Sequence, residues 1–73
     1  MARILVIIEK GEHSYGAYSP DVPGCVAVGD TREEVEHLMK EALQEHLQMM
    51  RAEHLPLPES QNEAEYMDIP LSA

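Results

Sequence analysis

The chain has 73 residues and carries 14 acidic residues against five lysines and arginines, which gives a formal net charge of −9 at pH 7. Contacts with phosphate groups need Lys and Arg, so this charge argues against direct binding of nucleic acid and of anionic membranes. It favours a basic protein partner or simply a well-solvated surface. The single cysteine excludes an internal disulfide, and no apolar run approaches the ~20 residues of a membrane span. We therefore expect one cytoplasmic domain over residues 1–73.

The first apolar run predicts a strand and a second copy of the chain. Ile4–Ile8 is continuous and largely β-branched, which is typical of a strand that is covered on both faces. The chain has no phenylalanine or tryptophan, and one of this length buries only about 60% of the surface that its unfolded form exposes. Since a single helix covers only one face of a sheet, we predict a homo-oligomer in which a second copy covers the other face.

Two further strands are predicted, separated by polar turns. Glu9–Glu12 indicates a hairpin turn, with Gly11 available for a positive φ. Ser14–Ser19 alternates weakly and predicts a second strand. A short third strand, Cys25–Val28, is followed by Gly29, which ends it.

The segment between the second and third strands carries two turn signals. Pro20 and Asp21 start the first, because proline supplies a fixed φ there. Pro23 and Gly24 have the order that a type II turn requires, so we expect a positive φ at Gly24. The prolines and the glycine are interpreted as parts of the fold.

Helix signals begin immediately after the third strand. Asp30 with Glu33, or Thr31 with Glu34, has the spacing of a capping box, in which side-chain oxygens satisfy the first free backbone N–H groups. The apolar residues that follow have the i, i+3, i+4, i+7 spacing of an amphipathic helix. They are Val35, Leu38, Met39, Ala42, Leu43, Leu47 and Met50.

The last part of the chain predicts an extended connection and a fourth strand. The helix should end near Glu53 or His54, because residues just before a proline avoid the helical conformation and Pro56 follows. Leu55–Glu63 contains two prolines and polar residues, which is typical of a connection. Glu65–Leu71 is interpreted as a strand at a sheet edge. The predicted architecture is β-β-β-α-β, an α+β domain with an antiparallel-rich sheet and one long helix packed on one face.

No group of residues predicts a catalytic site, a metal site or a cofactor. His37 and His46 lie about 180° apart on a helix and cannot share one metal within a chain. His46 falls inside the apolar stripe, where a packed histidine is the simpler interpretation and a ligand-binding or pH-sensing one the alternative. Cys25 is interpreted as a small buried hydrophobe. Asp21 and Asp30 are explained as a turn former and a helix cap, with a metal-dependent remnant nuclease as the alternative.

One motif joins turn, strand and helix-start residues in a fixed order: Ala17, Pro20, Asp21, Val22, Pro23, Gly24, Cys25, Gly29, Asp30, Thr31 and Glu34. The pattern A-x-x-P-D-hydrophobic-P-G-C-x-x-x-G-D-T-x-x-E resembles the HicB-like family of type II antitoxins. The run Glu41-Ala42-Leu43 and the later Pro56-Leu57-Pro58 are also similar to that family. Two departures are His54, where many members have glycine, and Val35, where many have alanine. The motif is interpreted as a fold signature.

The resemblance implies a partial ribonuclease H-like or double-stranded-RNA-binding-like fold, and a protein that binds and masks a small basic HicA-like toxin that cleaves mRNA. Complete members usually continue into a DNA-binding segment; the residues after Ser60 are too few for one, so we expect no operator binding. An acidic surface suits a basic RNA-binding partner. The alternative is an orphan self-assembling domain that binds a small molecule or a metal without catalysis. The residues expected to contact the toxin are Glu33, Glu34, Glu41, Glu45, Glu65 and Asp68.

Overall fold

Three short antiparallel strands and one long helix make up the regular structure. The structure is a computed structural model and describes residues 2–72. The elements are β1 (Ile7–Lys10), β2 (Tyr15–Tyr18), β3 (Val26–Gly29) and α1 (Arg32–Ala52), and the sheet order is β1-β2-β3. The predicted α+β class, with an antiparallel sheet and one helix on one face, is confirmed.

The helix packs on a sheet face that carries small side chains. The strand register sets Ile8 opposite Ala17 and Ala17 opposite Ala27, so the three side chains share the face beneath α1. Because alanine leaves room, the helix approaches closely and its Val35 and Met39 are fully buried. The buried apolar residues are Ala17, Val22, Cys25, Ala27, Val35, Met39 and Leu43.

The first strand lies later in the chain than predicted. It spans Ile7–Lys10 rather than Ile4–Ile8, because the hairpin closes where the N–H of Gly11 donates to the carbonyl of Ser14, at 2.8 Å. The predicted turn at residues 9–12 is therefore wrong, because Glu9 and Lys10 belong to the strand. Gly11 does not adopt the positive φ that was available to it, and Gly24 is the one glycine of residues 2–72 that has one.

Residues 4–6 precede β1 without pairing in the sheet, yet they still contribute to the core. Ile4, Val6 and Ile8 pack against the buried cluster beneath α1. All five residues of Ile4–Ile8 are half-buried, so one copy of the chain does not cover both of their faces. A second copy over the other face stays a prediction.

The turn before β3 follows the sequence prediction. Gly24 has φ +92°, as the Pro-Gly order requires, and Cys25 donates its N–H to the carbonyl of Val22. The interpretation of Cys25 as a buried hydrophobe is confirmed. At the other end of β3, a Cβ on Gly29 would lie 3.1 Å from Glu34 Cγ and from the backbone nitrogen of Val35. Glycine at that position lets the strand meet the start of the helix.

Of the two predicted capping boxes, the one at Thr31 forms. Thr31 is the N-cap and its Oγ1 accepts from the N–H of Glu34 at 3.1 Å. Glu34 Oε2 in turn accepts from the N–H of Asp30 at 3.4 Å. Asp30 is therefore not the cap, because it lies one residue before the position from which a side chain reaches the free N–H groups.

The helix ends where the sequence predicts, in a left-handed turn. Glu53 is the C-cap, and His54 follows with φ +58°. The N–H of His54 donates to the carbonyl of Arg51, and that of Leu55 to the carbonyl of Met50. This is the Schellman arrangement, whose left-handed residue is usually glycine. In this chain His54 holds that position.

Residues 53–72 contain no strand, so the predicted edge strand at Glu65–Leu71 is wrong for a single copy of the chain. A strand needs a paired neighbour, and residues 65–71 pair with no strand of the sheet. Pro58 is half-buried and the other residues of this segment are exposed, Tyr66 completely so. Within residues 2–72, no helix has both the length and the apolar character needed to cross a membrane.

Candidate partner-binding surface

Three carboxylates gather on the side of α1 that borders β3, here called the β3 flank. At 3.6 residues per turn, Glu34, Glu41 and Glu45 fall within about 40° of one another around the helix. The Cγ of Glu34 lies against Gly29, and Glu45 lines a shallow depression with Gly24 and neighbouring residues. All three side chains are exposed. The helix therefore holds a row of negative charge beside the sheet edge.

Other acidic residues expected at the toxin contact lie elsewhere. Glu33 is about 100° away from Glu34 around the helix, outside the β3 flank. Glu65 and Asp68 are exposed on the tail, more than ten residues after the end of α1. The structure thus brings together Glu34, Glu41 and Glu45 and leaves the other three apart.

The charges of α1 are sorted between its two sides. No lysine or arginine of α1, a helix that the structure describes throughout, falls within about 80° of Glu34 on the wheel. His37 is the nearest ionisable base, and its Nε2 lies 3.2 Å from Glu41 Oε1. Arg32 forms an ion pair with Glu36 at 3.1 Å on the other side. A cation that approached the β3 flank would meet carboxylates with little competition from this helix.

The sheet beside these carboxylates has a free edge and an open face. β3 is an edge strand, and one line of its backbone groups has no neighbouring strand in the described sheet. On the face away from α1, Val26 and Val28 are 64% and 68% exposed, and Ile7 and Tyr18 lie on that same face. An exposed apolar patch of this kind is typical of a contact surface.

A second open surface lies on the opposite side of α1, here called the β1 groove. It is an apolar groove of about 490 Å³ between residues 2–8 and the helix. Lys40 lies at its helix side, and Met39 and Leu43 form part of its floor. The complete lining is Ala2, Ile4, Val6, Ile8, Glu36, Met39, Lys40, Leu43, Gln44 and Leu47.

Asp21 joins three distant parts of the chain. Its Oδ2 accepts from the N–H of Leu5 at 2.9 Å, and its Oδ1 accepts from the amide of Asn62 at 2.8 Å. The hydroxyl of Ser19, itself buried, accepts from the N–H of Asp21. The bonds from Asn62 and Leu5 hold the pKa of the Asp21 carboxyl below its ordinary value of 3.8. Asp21 thus ties the tail to the N-terminal segment.

The sequence interpretation of Asp21 as a turn former does not include this role. Its partner Asn62 is 41 residues away, and no local pattern connects the two. The Asp21 carboxylate accepts hydrogen bonds from Leu5 and Asn62. Asp30, the other aspartate of the alternative nuclease site, is at the start of α1, where its N–H donates to Glu34. Nothing in this arrangement pairs the two aspartates around a metal.

The histidines do not form a metal centre in the part of the chain that is described. Residues 2–72 contain no group of three or more His, Cys, Asp or Glu side chains placed to hold a metal ion. His46 is half-buried beside Cys25 and Met49, in the depression that Glu45 also lines. The packed-histidine interpretation agrees with this position.

The chain matches one family model and several curated proteins. The model, described as "HicB_like antitoxin of bacterial toxin-antitoxin system", covers residues 4–71. An uncharacterised 14.9 kDa protein of Haemophilus phage HP1 is 37% identical over 65 residues, which are 89% of this chain and 49% of that protein. A UPF0150 protein of Helicobacter pylori is 36% identical over 59 residues, 81% of this chain and 82% of that protein.

A UPF0150 protein of Synechocystis is 37% identical over 54 residues, which are 73% of this chain and 68% of that protein. The chain spans about half the length of the phage relative and most of the length of the two bacterial ones. No solved structure matches it. The match over nearly the whole chain, together with the turn and cap residues seen in the structure, shows that this chain belongs to the HicB-like antitoxin family of bacterial toxin–antitoxin systems.

Proposed function

We propose that this chain is a non-catalytic antitoxin module that binds and masks a small basic HicA-like toxin, an mRNA-cleaving protein. Membership of the antitoxin family supports a toxin partner of some kind. The net charge of −9 supports a basic partner, since opposite charges steer two proteins together and penalise wrong pairings. Because the toxin acts on mRNA, we place the complex in the cytoplasm.

The observation that carries this proposal is the row formed by Glu34, Glu41 and Glu45 on the β3 flank. The three carboxylates lie within about 40° of one another around a rigid helix. They offer fixed partners for toxin Lys and Arg side chains that would otherwise bind RNA phosphates. The free edge of β3 lies next to this row and offers backbone hydrogen bonds to a partner strand. Occupying the basic surface of the toxin in this way would exclude its RNA substrate.

A charge-reversal experiment tests this surface. The partner used is a catalytically inactive form of a small basic HicA-like protein from the same genome, and affinity is measured by titration calorimetry. Glu41→Lys combined with Glu45→Lys should weaken binding about a hundredfold or more, because two attractive contacts become repulsive. Glu34 is left unchanged because it helps to cap α1.

The matched control is Glu12→Lys combined with Glu53→Lys, which changes the net charge equally at exposed positions away from the β3 flank. The control should weaken binding by less than about fivefold, through long-range steering alone. Equal losses in the two double variants would mean that only net charge matters. Absence of any complex with the wild-type chain, at low as well as at physiological salt, would end the proposal.

We also propose that the chain self-associates. Its core contains only seven buried apolar residues among those described, and a core of this size leaves little stability to spare. The open sheet face with Val26 and Val28 and the β1 groove are both apolar surfaces that a second copy can cover.

A further inference from the structure

The tail of the chain carries a row of apolar side chains that nothing in its own copy covers. Met67, Ile69 and Leu71 are 68%, 68% and 89% exposed. In an extended segment, residues two apart point the same way, so these three form one face and Tyr66 and Asp68 belong to the other. An exposed row of this kind is typical of a segment that docks on another surface.

The β1 groove matches this row in length and in chemistry. Ile4, Val6 and Ile8 are also spaced two apart, and all three line the groove. Each row of three spans about 13 Å, at ~3.3 Å per residue. The groove volume of about 490 Å³ lies within the ~300–1,000 Å³ of sites that enclose small ligands. Three aliphatic and thioether side chains can therefore fill it.

The charges around the groove fit the tail and not a basic toxin. Lys40 lines the helix side of the groove, and Arg3 lies on the N-terminal segment next to Ile4, where it lines a neighbouring depression with residues 60 and 62–64. Glu36 also lines the groove, but it is paired with Arg32. The tail carries Glu63, Glu65 and Asp68 and has no base after Arg51 other than His54.

Among residues 2–72, none of the tail lines the groove of its own copy. Asn62 is held by Asp21, and residues 60–64 run beside Arg3–Val6. Residues 63–66 contain none of the Gly, Pro, Asn, Asp or Ser residues that favour a chain reversal. The Cα radius of gyration is 15.0 Å, against about 11 Å for a compact chain of this length, so the tail projects from the body.

We infer that the tail of each copy docks in the β1 groove of a second copy, with Met67, Ile69 and Leu71 facing Ile4, Val6 and Ile8. The exchange is reciprocal, so the two copies form a closed twofold dimer. This inference rests on the proposed self-association and involves no toxin. It assigns the dimer contact to the side of α1 that is opposite the β3 flank.

Sedimentation velocity of the purified chain, without any toxin, tests the exchange. The wild-type chain should sediment as a dimer. Ile69→Glu should weaken the dimer about a hundredfold or more, because a charge would be buried among aliphatic side chains of the partner. Tyr66→Glu makes the same change on the other face of the same tail, and it should weaken the dimer by less than about fivefold. Neither substitution disturbs the folded body, since both side chains are exposed.

The outcomes separate this inference from the proposed self-association. A monomer for the wild-type chain at all concentrations would overturn both. A dimer that is unaffected by Ile69→Glu would overturn the tail exchange alone. The open sheet face with Val26 and Val28 would then be the candidate dimer contact. If Ile69→Glu abolished toxin binding and left the dimer intact, the tail would be a toxin contact and the exchange would be wrong.

Disulfide trapping distinguishes a partner's groove from the chain's own. Oxidation of a mixture of Ile69→Cys and Leu47→Cys chains should give cross-linked heterodimers, while the wild-type chain, whose Cys25 is buried, should give none. A chain with both substitutions should cross-link into dimers whose yield falls on dilution. An intramolecular cross-link that is independent of concentration would overturn the exchange.

Discussion

The two sides of α1 differ in charge and in apolar character, although they share one helix and one core. The β3 flank has three exposed carboxylates and borders a free strand edge, whereas the β1 groove is apolar and has Lys40 at its helix side. Lys40, one of the five lysines and arginines in a chain with a net charge of −9, lies at this apolar groove and away from the carboxylates. This difference supports the two proposals made above, that a basic toxin binds on one side of α1 and a second copy of the chain on the other.

A substitution at Met39 tests whether the β3 flank and the β1 groove both depend on the common core. Its side chain is fully buried between α1 and the sheet. Met39→Ala should lower the free energy of unfolding by about 2–5 kcal/mol, measured by urea denaturation, because it leaves a cavity. That is a large part of the total stability of so short a chain, so toxin binding and dimerisation should be lost together. Loss of one with retention of the other would show that the two sides do not share a scaffold.

Gly24 tests the turn that supports the β3 flank. Its φ of +92° strains any residue with a Cβ, although no atom lies within 4 Å of the Cβ position. Gly24→Ala should cost about 1–3 kcal/mol of unfolding free energy. Gly16→Ala is the matched control, because the added Cβ would meet only the carbonyl of Ala27, at 3.9 Å, in an ordinary conformation. Equal thermal midpoints for the two variants would contradict the strain at Gly24.

Thr31 tests whether the helix start fixes Glu34 on the β3 flank. Thr31→Ala removes the acceptor for the N–H of Glu34 and should cost about 1 kcal/mol, measured by thermal denaturation. Asp30→Ala, one residue earlier, should cost less than about 0.5 kcal/mol, since Asp30 is not the cap. The reverse order of the two effects would mean that Asp30 caps α1 in solution.

The smallest expected effect concerns the tail and its attachment through Asp21. The pKa of Asp21 in the folded chain is below the ordinary value of 3.8 that it has when unfolded. Its contribution to stability is therefore complete above the unfolded pKa and is lost as the pH falls through the lower folded value. The wild-type chain should exceed Asp21→Asn in stability at pH 7, and the difference should shrink as the pH falls below about 3.8. A difference that is independent of pH would contradict this role.

The helix and the turn before β3 could be predicted because their signals are local. The 3.6-residue spacing fixed α1, and the pairing of Thr31 with Glu34 marked its start within one residue of the observed position. The order of Pro23 and Gly24 identified the positive φ. These residues act through neighbours that lie within a few positions of them in the chain.

The position of β1 and the contacts of the tail could not be predicted in the same way. The apolar run Ile4–Ile8 indicates burial but does not state which residues pair with β2, because register depends on the partner strand. The bond between Asp21 and Asn62 and the shape of the β1 groove arise only when distant segments meet. By contrast, the separation of Glu33 from Glu34, Glu41 and Glu45 could have been predicted from the sequence, because it follows from the helix period.

The most direct test of separate partners on the two sides of α1 is one sedimentation experiment with four samples. The Glu41→Lys, Glu45→Lys double variant and the Ile69→Glu variant are each run alone and with the inactive HicA-like toxin. Separate surfaces predict that the first variant remains a dimer and fails to bind toxin, and that the second is a monomer that still binds it. A loss of both properties in either variant, with its circular dichroism spectrum unchanged, would contradict the separation.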